Sequence, residues 1–157
     1  MSGKGAPVIV PTDASSLKVT IIAGTWHDVI TDGLIAGAER TLEASGATYR
    51  VVRVPGSFEL ALASKAALEA GADAVVALGV IIRGGTPHFE YVASAATDGL
   101  NRVALDTGKP IGFGLLTLDD EQQGLDRAGL PDSKEDKGAE AADAAVRTAL
   151  LLRALRE

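Results

Sequence analysis

The sequence predicts an α/β fold, a doubly wound parallel sheet with helices on both faces, on two observations. Apolar, β-branched runs recur four times along the 157 residues, and between them lie longer segments whose apolar residues repeat every three or four positions. Runs of the first kind make buried strands. Segments of the second kind are long enough for the crossovers that parallel neighbours require.

In chain order, the first sixteen residues hold "PVIVP", an apolar triplet fenced by prolines. It is too short to found a core element alone and fits an arm that adds as an edge strand to a neighbouring subunit. "LKVTIIA" (17–23) is the first strand. In "WHDVITDGLIAGAERTLEAS", Ile30, Leu34, Ala38 and Leu42 recur every fourth position and share a face, and Gly46 stops the helix. "TYRVVRV" (48–54) is the second buried strand. Over 57–70, Leu60, Ala63, Ala67 and Ala70 form the next helical stripe, which Gly71 ends. "ADAVVALGVII" (72–82) is the third strand. From Pro87 to Asp106 a third helix places Phe89, Val92, Ala96, Leu100 and Val103 on one side before the breaker "GKP". "PIGFGLLT" (110–117) is the fourth strand, followed by a short helix near 119–128 and a long one over roughly 137–156. The sum is a flavodoxin-like, four-stranded sheet: a single domain over 17–157 preceded by the arm 1–16.

Composition narrows the function. A chain of this length supports one substantial core. Net charge is -6 and basic residues never cluster beyond a pair, so the footprint of a nucleic-acid binder is missing. Without cysteine there are no disulfides, thiolate metal sites or cysteine nucleophile. No apolar stretch has signal-peptide or membrane-spanning length, which predicts a cytoplasmic protein with no membrane partner. Two histidines in separate loops give no zinc spacing, "GFGLL" lacks the third glycine of a dinucleotide fingerprint, and neither a P-loop nor a G-x-S-x-G elbow occurs. Neither metal nor cofactor is expected.

In such sheets ligands bind beyond the carboxyl ends of the strands, so chemistry is sought in "GTWHD", "VPGSFE", "RGGTPHF" and "TLDDE". In "RGGTPHF" two glycines permit a tight turn and close backbone approach, and Thr86-Pro87 reads as N-cap and first helical residue. The N–H groups of Gly85, Thr86 and His88 would then offer an anion site at a helix start. Taken alone, the turn fits a capped strand-to-helix connection at least as well. His88 would sit where the dipole disfavours imidazolium, leaving a neutral ring able to take a proton. His27 reads instead as a solvated helix-end residue or a supporting group. Trp26, the only tryptophan, stands in a loop and not in an apolar stripe, which suits stacking on a planar ring. Phe58 and Phe113 either line the same mouth or pack in the core. Glu59 opens a helix and can hydrogen-bond an amide-like ligand edge. Arg127 and Lys137 flank the acidic "AGLPDSKED"; both suit solvated charges, although Arg127 could grip a phosphate if this segment reaches another subunit.

At these residues the sequence resembles the lumazine synthase family of riboflavin biosynthesis. "GTWHDVITDGL", "VVRVPGSFELALA", "ALGVIIRGGTPHFEYV", "GLLTLDDEQQGLDRAG" and "DKGAEAA" occur in order, and "GVIIRGGTPHFEYV" is the specific element. The resemblance implies a transferase that condenses 5-amino-6-(D-ribitylamino)uracil with 3,4-dihydroxy-2-butanone 4-phosphate, losing phosphate and water to give 6,7-dimethyl-8-ribityllumazine. It implies stacking by Trp26, contacts to the ring and ribityl chain from Ser57, Phe58 and Glu59, and backbone hydrogen bonds from Val80, Ile81 and Ile82. Gly85 and Thr86 would hold the butanone phosphate, joined by Arg127 of an adjacent subunit. Phe113, also from the neighbour, would close the ring pocket, and His88 would transfer protons. Lys137 matches a basic position of the family pattern without a defined role. The family is oligomeric; because "LPDSKEDKGAE" is longer and more acidic than the tight turn associated with icosahedral shells, a pentamer is favoured. Riboflavin synthase is a partner the resemblance raises and leaves open. Two other readings share the fold: a flavin- or nucleotide-binding module without catalysis, and a structural shell protein. Against the module, "AGTWHDV" is poor in the phosphate-loop donors it would need after the first strand.

Overall fold

A computed structural model describes residues 3–157; residues 1–2 of the expected arm lie outside the described residues. Strands β1 (Lys18–Ala23), β2 (Thr48–Arg53), β3 (Ala74–Ile82) and β4 (Ile111–Leu118) form one parallel sheet in the order β2-β1-β3-β4. Helices α1 (Asp28–Ser45), α2 (Leu60–Glu69), α3 (His88–Thr107), α4 (Glu121–Leu125) and α5 (Lys137–Arg156) alternate with or follow the strands, and a single 3₁₀ turn at Ser57–Glu59 leads into α2. The doubly wound α/β expectation holds.

Alternation along β3 divides the core. Val76, Leu78 and Val80 join Val19 and Ile21 beneath α1 and α5, whereas Val75 and Ala77 join Ile22 beneath α2 and α3. The α1 stripe is buried as its spacing requires, with Leu34, Ala38 and Leu42 at 0% exposure. Gly46 ends that helix with φ +76°, the left-handed cap that glycine adopts without strain. Among the described residues no helix is long and apolar enough to cross a membrane.

Four local expectations need correction. β2 is not buried: it is an edge strand, and Val51 stays 39% exposed because only β1 pairs with it. The inward face of α2 is Leu60, Ser64, Ala67 and Leu68, while Ala70 is exposed because the helix ends at Glu69. On α3 only Ala96, Leu100 and Val103 are buried, because Val92, half-buried, faces an open space and Phe89, also half-buried, packs against Arg83. α3 itself starts at His88, one residue after Pro87. Apart from these corrections, the arm, expected to add to a neighbouring subunit, forms no strand on its own chain: Ile9 tucks into a crevice beside Gly37 and Val146, whereas Val8 and Val10 are 86% and 61% exposed.

Helices α1 and α5 meet almost backbone to backbone. A Cβ added at Gly138 would lie 2.0 Å from the carbonyl oxygen of Leu34. Alanine in a helix gains roughly 1 kcal/mol of propensity over glycine, but a contact against a rigid backbone cannot be relieved by a side-chain rotation. Gly138→Ala is therefore expected to lose about 1–3 kcal/mol of stability, measured as a lower urea midpoint at unchanged m-value.

Candidate active site

β1 and β3 lie side by side, but β1 leads into α1 on one face of the sheet and β3 into α3 on the other. A crevice opens where such neighbours part. The β1–β3 register ends at Ala23 opposite Leu78, and the N–H of Gly24 adds one last bond to the Leu78 carbonyl at 3.0 Å. β3 continues to Ile82 alongside β4 alone, and Arg83 donates its N–H to the Leu118 carbonyl on that side. Strand alternation then turns the backbone groups of Val80 and Ile82 toward the side β1 has left, and those of Ile81 toward β4.

A cavity of about 750 Å³ fills this crevice. Trp26, Ser57, Phe58, Glu59, Val80, Ile81, Ile82 and His88 all line it, which brings together eight of the residues singled out from the sequence. Its aromatic walls are unusual for so poor an aromatic content: Trp26 is 67% exposed, Phe58 65% and Tyr91 74%. Half of the six aromatic residues thus stand uncovered around one space.

The wall that carries Trp26 is rigid. Thr31, fully buried, donates its hydroxyl to the Trp26 carbonyl at 2.8 Å and its N–H to the His27 carbonyl at 2.9 Å. Thr25 donates its hydroxyl to the Pro55 carbonyl at 2.7 Å, and Arg53 places Nη2 2.8 Å from the Gly24 carbonyl. The loop after β1 is thereby tied to the loop after β2. His27 adopts φ +53°, the left-handed region, and is the one non-glycine residue to do so among the described residues. Its ring stands 6.4 Å from that of Trp26 and lines the cavity, so it belongs to the wall.

The opposite wall depends on a missing side chain. A Cβ at Gly79 would meet Ser57 Oγ at 2.6 Å and the Leu115 side chain at 2.8 Å, so glycine lets the Ser57 turn sit directly on β3. Over Gly56 the indole Nε1 of Trp26 and a carboxylate oxygen of Glu59 converge: a Cβ there would lie 3.4 Å from the first and 3.5 Å from the second. One donor and one acceptor therefore overlook the same patch, as the polar edge of a heterocycle would require.

Along α3, His88, Tyr91, Val92 and Ala95 face the cavity at the i, i+3, i+4 and i+7 positions. Sequence reasoning misses Tyr91, although its helical spacing from His88 carries the signal. Ahead of His88, the N–H groups of Gly85 and Thr86 have no partner among the described residues. The His88 N–H, expected to share in the anion site, instead points to the Thr86 hydroxyl at a long 3.4 Å.

Three expected residues stand apart in the single chain. Phe113, half-exposed on β4, lines a separate cavity of about 330 Å³ with Thr97, Asp98 and Asn101. Arg127 donates to the Gln123 carbonyl at 2.8 Å and lies 3.5 Å from Glu135. Lys137 lies 2.7 Å from Glu140 and 3.6 Å from Glu135.

A family model described as 6,7-dimethyl-8-ribityllumazine synthase matches residues 16–153. The chain belongs to this lumazine synthase family. A protein of Leifsonia xyli subsp. xyli bearing that family name is 74% identical over 157 residues, covering 99% of both chains. Relatives so named in Clavibacter sepedonicus and Kineococcus radiotolerans are 73% and 60% identical, covering 99% and 98% of this chain and 99% and 95% of theirs. The lumazine synthase match includes every loop that lines the cavity, from Trp26 to Ala95.

Thr31→Val keeps the shape of the buried side chain and removes its bond to the Trp26 carbonyl. The expected loss is about 1–2 kcal/mol. The lone tryptophan should also become more accessible to acrylamide quenching before global unfolding; an unchanged quenching profile would show that the loop is held by other means.

Proposed function

We propose that the chain condenses 5-amino-6-(D-ribitylamino)uracil with 3,4-dihydroxy-2-butanone 4-phosphate to form 6,7-dimethyl-8-ribityllumazine, with loss of phosphate and water. The carrying observation is the convergence, around one cavity at the β1/β3 crevice, of an exposed indole, the Ser57–Glu59 turn, the open backbone of β3 and a histidine at a helix start. A planar uracil stacks on Trp26 while its amide edge exchanges hydrogen bonds with β3 and its polar substituents reach Ser57, Phe58 and Glu59. Phosphate occupies the turn at Gly85 and Thr86, where the two unpaired N–H groups precede α3.

Holding the amine of one substrate beside the ketone of the other supplies much of the acceleration for imine formation, with no requirement for a metal or cofactor. Phosphate elimination and ring closure then move protons, which His88 takes and returns. That role contributes about 10²- to 10⁴-fold. Arg127 and Phe113, remote from the cavity of their own chain, act in that of a neighbour, with Lys137 close by. A homopentamer accounts for such sharing, and the exposed Val8 and Val10 suit an arm that pairs with the free edge of a neighbour's sheet. The domain 17–157 is the catalytic unit, the cytoplasm its compartment, and riboflavin synthase the natural recipient of its product.

Incubation with both substrates should yield the fluorescent, visible-absorbing lumazine; binding without product would indicate a ligand-binding module. His88→Ala should lower kcat by about 10²-fold or more while substrate binding persists, and an unchanged kcat would remove His88 from the chemistry. Five copies of a 16.0 kDa chain should give a native mass of about 80 kDa. Deletion of residues 1–12 should reduce that mass; light scattering that finds a megadalton particle would exclude the pentamer.

A further inference from the structure

The cation next to the phosphate turn is Arg83, which directly precedes Gly84 and Gly85. Phosphate recognition would be its obvious task, yet its guanidinium is already committed within the chain. Nη1 lies 2.5 Å from a carboxylate oxygen of Glu90, Nε lies 3.1 Å from Asp119, and the Phe89 ring centroid is 4.4 Å from Cζ. Glu90 and Phe89 belong to the first turn of α3, whereas Asp119 follows β4 directly. Both anchors are fixed in turn: the Glu90 N–H donates to the Pro87 carbonyl at 3.1 Å and the Asp119 N–H to Gln123 Oε1 at 2.8 Å, while the N–H of Arg83 itself donates to the Leu118 carbonyl at 2.8 Å. The side chain therefore spans the base of the turn 84–89 from one stem to the other.

We infer that Arg83, with Glu90 and Asp119, forms a clasp that positions the phosphate turn and His88 for the reaction, and that Arg83 is a positioning residue and not a phosphate ligand. This rests on the proposed roles of Gly85, Thr86 and His88. Side-chain packing does not restrain the turn: Cβ atoms added at Gly84 and Gly85 would meet no other atom within 4 Å, and paired glycines are the most mobile backbone a chain can carry. Tying residue 83 to residue 90 adds a side-chain restraint across the two ends of the turn. The two carboxylates also outweigh the single guanidinium charge, so the turn attracts phosphate through its N–H groups and needs a further cation from elsewhere. The Arg83 hydrogen bond holds the Glu90 carboxyl below its ordinary value, and the same contact raises Arg83. With the folded pKa depressed, the contact is fully present above the ordinary carboxylate value and is lost only as pH falls through the lowered one. It is intact at neutral pH.

The test is steady-state kinetics of the full-length protein with each substrate varied in turn, on Arg83→Met, Arg83→Lys and Glu90→Gln. Arg83→Met should raise KM for the butanone phosphate and lower kcat, each about tenfold, with KM for the ribitylaminouracil unchanged, because misplacement of a catalytic loop costs rate as well as binding. Glu90→Gln should move both values in the same direction by less, and Arg83→Lys should recover part of the loss. A raised KM for the butanone phosphate at native kcat would identify Arg83 as a direct ligand and overturn the clasp. Native kinetics in Arg83→Met, or an equal rise in both KM values, would overturn it as well. If Arg83→Met does not fold, Glu90→Gln and Asp119→Asn carry the same comparison. Absence of lumazine formation by the native protein would remove the functional reading, and the clasp with it; the clasp alone fails when native turnover is present and the variants match it.

Discussion

The hydrogen bond from the Gly24 N–H to the Leu78 carbonyl marks where β1 and β3 stop running together. Below it, the sheet is continuous and both faces are covered by helices. Above it, the two chains leave in opposite directions, and the edge of β3 that β1 abandons becomes a row of backbone donors and acceptors facing open space. The cavity, the exposed indole and the α3 overhang all follow from that parting. Topology makes the crevice; side chains only furnish it.

Much of this architecture is legible in the amino-acid sequence. Strand and helix order follow from apolar runs and a helical spacing between them, and the buried residues of α1 and the later part of α3 fall where the spacing puts them. β2 misleads because its apolar content describes a strand but not its neighbours, and edge position depends on pairing order. α2 misleads because it ends at Glu69, leaving Ala70 outside the helix, and because the small hydroxyl side chain of Ser64 takes a buried place on the inward face. Within the site, a tryptophan in a loop and a histidine at a helix start after two glycines give themselves away, being residues outside the core-facing stripes. Tyr91 does not, because it sits in a helix whose core-facing stripe draws attention elsewhere. The employment of Arg83 is equally hidden: its carboxylate partners lie 7 and 36 residues away, and nothing in the sequence brings them together.

The distribution of charge around the site follows one pattern. Basic groups on the loops after β3 and β4 and at the start of α5 are paired with acids of the same chain: Arg83 with Glu90 and Asp119, Arg127 and Lys137 with Glu135. Pairing keeps long cationic side chains in one conformation at little net charge.

The left-handed backbone of His27 has a bearing on how this scaffold tolerates change. That conformation disfavours a β-branched side chain whatever the chemistry of the replacement, and it accommodates glycine or asparagine readily. Position 27 thus filters substitutions by shape of backbone before any question of binding arises. Libraries aimed at altering the ring pocket through this wall should draw on small polar residues at 27 and leave valine, isoleucine and threonine out.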